Sequence, residues 1–253
     1  MAISSSVASI HLNSLFFHPC SDCTSSIQAY TLVFHLFNNT MSLLSSAPIM
    51  IDTRIKEMLG HSHQMWSYLL DFALAPLISV RTMELDERFL KSAAEFWNPR
   101  DHVFRFNGVE ICPLCEEFAT ILGKEYVSSS ILVALPSLEL HSVAFMVPLF
   151  NLRSSALLSY TENGMMTLSE FLENCRNKPV GSSAWKNILA FCLYSAYLLT
   201  NPDGTGDIQV ARIIDQVDQG ANPFPVILAE TLIGLDCVSQ GGRFRGSPMF
   251  LQE

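Results

Sequence analysis

Seventeen residues, Ser183 to Leu199 (SAWKNILAFCLYSAYLL), carry a single charge, Lys186, and would be apolar on nearly every side of a helix. A surface helix shows one apolar stripe, whereas a helix that is apolar all round has to be covered on every side. Seventeen residues rise about 26 Å as an α-helix, short of the ~30 Å hydrocarbon core of a bilayer. The segment is therefore expected to be the central buried helix of a protein core, and the other elements have to wrap it.

Flanking patterns supply the wrapping. Ile55, Met58, Leu59, Met65, Trp66, Leu69 and Leu70 recur mostly at three- and four-residue steps and predict one or two helices after Asp52. ELDERFLKSAAEFW predicts another, with Leu85, Phe89, Leu90, Ala93 and Phe96/Trp97 on its apolar side, ended by Asn98-Pro99 because proline pushes the preceding residue out of the helical region. Residues 103–111 alternate around Asn107-Gly108, the strongest short signal for a β-hairpin. A helix should follow, opened by Pro113, with Glu116 and Glu117 near its positive end, Leu114, Phe118, Ile121 and Leu122 as its apolar face, and Gly123 as its stop. After a weakly patterned stretch (124–166), Thr167 and Glu170 stand at capping-box spacing. DIQVARIIDQVDQ predicts an amphipathic helix stopped by Gly220, and PVILAETLIGLD a further helix before the glycine-rich SQGGRFRGSP. The expected fold is mainly α: a multi-helix globular domain with one small hairpin (103–111), its core aromatics supplied by Trp97, Phe104, Phe106, Phe118, Trp185 and Tyr194.

The first forty-nine residues differ from the rest. They are Ser-rich, lack periodicity, and contain no Lys or Arg and one acid, Asp22. A secretory signal needs a basic start and a transit peptide is Arg-rich, so neither pattern is met. Residues 1–49 are expected to form a poorly ordered extension, with Met41 offering an alternative start, and residues 50–253 the helical domain. AYTLVFHLF is too short to span a bilayer, and residues 131–150 carry Glu139, His141 and two prolines. No membrane partner is expected. Asn38-Asn39-Thr40 is a glycosylation sequon, which matters only in a secreted chain.

Composition narrows function mainly by exclusion. With 49% hydrophobic and 15% charged residues, the chain is built to fold. A formal charge of −9 gives no general affinity for phosphate backbones, so strong nucleic-acid binding is not expected; Arg243 and Arg245 form a local basic spot in a glycine-rich loop. Seven scattered cysteines suit a reducing compartment.

Each chemical motif has a simpler structural account. Cys20/Cys23 and Cys112/Cys115 are two CxxC pairs, but structural zinc sites usually keep their pairs within about twenty residues, so Cys112 and Cys115 are expected to bracket a helix start. NPDGTGDI (201–208) resembles a calcium loop, yet the position of the closing Glu is Arg212; Asp207 as a helix cap accounts for it. Ser183 and Lys186 have S-x-x-K spacing without the accompanying motifs of serine acyl-enzymes, and Ser183 reads as an N-cap. His61 and His63 would point different ways from a helix. The expectation is no catalytic, cofactor-binding or metal-ligating residue.

The stretch FWNPRDHVFRFNGVEICPLCEEFATILG, followed by NILAFCLYSAYLLTNPDGTGDIQVARIIDQVDQGANPFPVILAETLIGLD and GGRFRGSPMFLQ, resembles the plant mobile domain group. That group is a plant-specific, transposon-associated set of domains, also labelled "aminotransferase-like". The resemblance covers roughly residues 52–251. It departs where Leu114-Cys115 follows Pro113 in place of the group's Pro-Thr, and where the chain stops at Glu253 before the group's Trp-Leu sequence, implying a C-terminally truncated copy. The resemblance implies a nuclear plant protein tied to transposable elements or their silencing, acting through protein partners and without established catalytic residues. The alternatives are a cryptic enzyme, PLP-dependent or hydrolytic, and a nucleic-acid adaptor using Arg243 and Arg245. Of the five lysines (56, 91, 124, 178, 186), none lies in the glycine-rich phosphate cradle that PLP needs.

Overall fold

The computed structural model describes residues 86–122, 133, 143–175, 177–179, 182–201, 203–248 and 251. The extension 1–49, the helices expected over 52–85, the pair Cys20/Cys23, His61, His63 and Gly123 lie outside the described residues.

Asp86 opens α1 (Glu87–Glu95) by accepting hydrogen bonds from the backbone N–H groups of Arg88 (2.9 Å) and Phe89 (3.2 Å). The helix stops before Phe96, and Trp97 belongs to a strand rather than to the helix face expected from the periodicity. Extended backbone ahead of Pro99 turns Trp97–Asn98 into β1, which pairs antiparallel with β2 (Val103–Phe106). β2 pairs in turn with β3 (Val109–Ile111) across Asn107 (φ 47°) and Gly108 (φ 86°), the left-handed pair that a type I′ turn requires. The hairpin is present as expected but forms two strands of a three-stranded sheet.

Next comes α2 (Cys115–Ile121). It begins two residues later than Pro113, with Leu114 as N-cap, and the Glu117 carboxylate accepts from the Leu114 N–H at 2.9 Å. A 3₁₀ turn (Val143–Phe145) leads into α3 (Met146–Phe150) and α4 (Ser154–Ser159).

The second correction to the expected fold is another sheet. β4 (Thr161–Glu162) and β5 (Met165–Thr167) flank Asn163 (φ 51°) and Gly164 (φ 78°), a second turn of the same kind, and β6 (Thr205–Asp207) joins β5 from forty residues on. Thr167 ends that strand, and α5 (Leu168–Cys175) starts at once. The fold is thus helix-rich, with eight α-helices and two small three-stranded antiparallel sheets among the described residues.

α6 (Ser183–Leu193) is the central helix, its N-cap Ser182 rather than Ser183: the Ser182 hydroxyl accepts from the Trp185 N–H at 3.2 Å. It runs into a π turn (Tyr194–Leu198), and from Ile188 to Leu198 no residue is more than 6% exposed. α3, α5 and α7 (Gln209–Asp218) pack on α6. Phe150, Phe171 and Phe191 meet at centroid distances of 5.3 to 5.6 Å and steep interplanar angles, the edge-to-face geometry that aromatic quadrupoles favour. α7 is amphipathic and is closed by Gly220 (φ 91°), as expected. α8 (Phe224–Ser239) carries α1, α2 and the first sheet. There Trp97, Phe104, Leu235 and Phe244 make a second, smaller core, against which Phe106 is partly buried. Of the expected core aromatics, Phe118, Trp185 and Tyr194 join the main core.

Candidate functional site

The residues singled out by the sequence motifs are mostly buried or already paired within the fold. Cys112 is exposed, and Cys115, at the first position of α2, is half-buried against the main core. Cys175 and Cys192 are buried, and burial raises both thiols, Cys175 to about 11. A thiolate is the reactive form, so desolvation protects these two chemically as well as sterically. At pH 8 a thiol-specific reagent should modify Cys112 within minutes and leave Cys175 and Cys192 intact until denaturant is added. Peptide mapping by mass spectrometry checks this, and early labelling of Cys192 would contradict the described core.

Ser183 is exposed at the start of α6, while the Lys186 ammonium reaches Asp218 on α7 at 2.9 Å. The Lys178 ammonium donates to the carbonyl of Asn151. Arg243 pairs with Asp203 at 2.7 Å, so the aspartate of the calcium-like loop holds an arginine. Asp207 is not itself the cap of α7, which is Ile208, but stands one residue ahead of it and accepts from the Gln209 N–H at 2.8 Å. Among the described residues, no group of three or more His, Cys, Asp or Glu side chains is gathered so as to hold a metal ion, and no helix is long and apolar enough to cross a membrane.

Two polar constellations have no counterpart among the motifs of the sequence. The first joins α8 to the first sheet. The two Asp236 carboxylate oxygens take the Trp97 indole N–H at 2.8 Å and the His102 Nε2 at 3.2 Å, and the imidazole stacks on Trp97 at 5.9 Å. His102 itself has φ 52°, a left-handed conformation that costs a non-glycine residue about 1 kcal/mol. The turn that imposes it is cross-braced: Asn98 receives the Arg100 N–H (3.0 Å), donates to Asp101 (2.9 Å), and its carbonyl takes the His102 N–H (2.9 Å). Arg105 extends the network between Asp101 and Glu110.

The second is a strap, residues 243–248, laid between the π turn and α8. Its Gly246 exchanges both backbone hydrogen bonds with Thr200, the Ser247 hydroxyl donates to the carbonyl of Tyr197 (3.0 Å), and the Ser247 N–H donates to Thr231 Oγ1 (3.0 Å). The π turn, closed by the Leu199 N–H to the Tyr194 carbonyl at 2.7 Å, presents Tyr197 to the strap. Inside that turn the Ser195 hydroxyl is buried without a hydrogen-bond partner beneath Gly206, where an added methyl carbon would lie 2.7 Å from it. Glu230 on α8 faces Asp207 and the strap's Arg245, and burial, then repulsion from Asp207, raises its pKa. A carboxyl whose folded pKa is raised weakens the fold once it ionises, so the cost is absent below the unfolded value near pH 4.3 and sets in as pH rises toward the folded value. Glu230→Gln should therefore raise Tm at pH 7 and leave it unchanged below about pH 4, measured by thermal denaturation across that range.

Four large apolar side chains are exposed among the described residues: Phe89 (41%), Leu114 (49%), Leu158 (61%) and Ile233 (48%). Phe89 was expected on the buried face of its helix. Ile233 belongs to α8, Phe89 to α1 and Leu114 is the N-cap of α2, both helices packed on α8; Leu158 stands on α4. No family model, curated protein or solved structure matches the chain.

Proposed function

We propose that the chain is a plant-mobile-domain-like module that acts by binding other proteins in the plant nucleus, in processes tied to transposable elements or their silencing, and not by catalysis. The segments that carry its resemblance to that group, residues 96–123, 187–236 and 241–252, include the Trp97–Asn98 strand, the 103–111 hairpin, the α2 helix and the glycine-rich strap, which meet around α8. The observation that carries an interaction role is the exposure of Phe89 on α1, Leu114 at the N-cap of α2 and Ile233 on α8. A large apolar side chain in water gains roughly 1.5–3 kcal/mol when a partner covers it fully, and such anchors dominate interfaces.

The test is affinity purification of the full chain from plant nuclei beside the Phe89→Glu/Ile233→Glu double variant. Both positions are exposed, so thermal stability should stay within about 1 kcal/mol of the parent. Partners that copurify with the parent and disappear from the variant, identified by mass spectrometry, are the expected result. The same partners recovered equally by both proteins would remove this surface from consideration.

A further inference from the structure

We draw no further inference here: the strongest candidate, the exposed apolar side chains Phe89, Leu114 and Ile233 on α8 and the helices packed on it, belongs to the surface already described, and nothing in the structure shows what covers it.

Discussion

Gly234→Ala should destabilise the protein by about 3 kcal/mol and loosen the C-terminal strap. A Cβ at position 234 would stand 1.9 Å from the carbonyl oxygen of Arg245, and 2.8–2.9 Å from two further backbone atoms of that residue. Backbone cannot rotate aside as a flexible side chain does, so either α8 bends or the strap lifts. Lifting it breaks the two-way bridge between Thr200 and Gly246 and strips the Tyr197 carbonyl and Thr231 hydroxyl of their partners in Ser247. The Thr231 hydroxyl keeps its hydrogen bond to the Ile227 carbonyl, so the loss falls on the buried Ser247, whose groups cost about 1–3 kcal/mol each when left unpaired. Urea denaturation gives the loss of stability. Hydrogen exchange locates it, and faster exchange should concentrate at 197–200 and 243–248 while the 103–111 hairpin keeps its protection. Gly220→Ala is the control. Gly220 needs φ 91°, but a Cβ added there would meet nothing within 4 Å, so only the backbone penalty of about 1 kcal/mol applies. Equal losses from the two substitutions would mean that the strap does not lie against α8.

How far the sequence discloses this arrangement depends on how local each cause is. Asn107-Gly108 specifies its hairpin within a few residues, and Gly220 ends α7 through its own φ angle, so both are legible from the chain alone. Asn163-Gly164 is the same dipeptide, but its strands are only two and three residues long, too short for alternation to register. What stabilises that hairpin is β6, and its partnership with β5 is set by long-range packing that spacing does not reveal. The π turn is hidden for the same reason. Nothing in Tyr194-Ser195-Ala196-Tyr197-Leu198 breaks an α-helix, and the groups that engage the turn's end, Gly246 and Ser247, come from about fifty residues later. The strap looks solvated in sequence because glycines and arginines surround Phe244; in the fold Arg243 and Arg245 stay exposed while Phe244 and Ser247 are buried. Helical periodicity likewise points Phe89 inward, although α1 is covered on the side of Leu90, Ala93 and Ala94. The Asp236 bridge depends on residues more than 130 positions apart and on a strained histidine, neither of which leaves a local signature.

Phe191→Ala should cost about 3–5 kcal/mol, the range for removing a fully buried aromatic side chain. Phe191 is 0% exposed and stands edge-on to both Phe150 and Phe171, so truncation ends two aromatic contacts and opens a cavity under the centre of α6. The walls cannot close it easily, because they come from α3 and α5, which are tied to α6 by other buried residues such as Met146, Leu172 and Leu189. Phe191→Leu separates volume from ring geometry. It keeps most of the packing and should lose about 1–2 kcal/mol, mainly the two edge-to-face contacts. Chemical denaturation of the three proteins with a common m-value gives both differences. A loss below about 1 kcal/mol for the alanine variant would show that the three rings do not form a close-packed centre, and that α6 is not the element around which the described helices assemble.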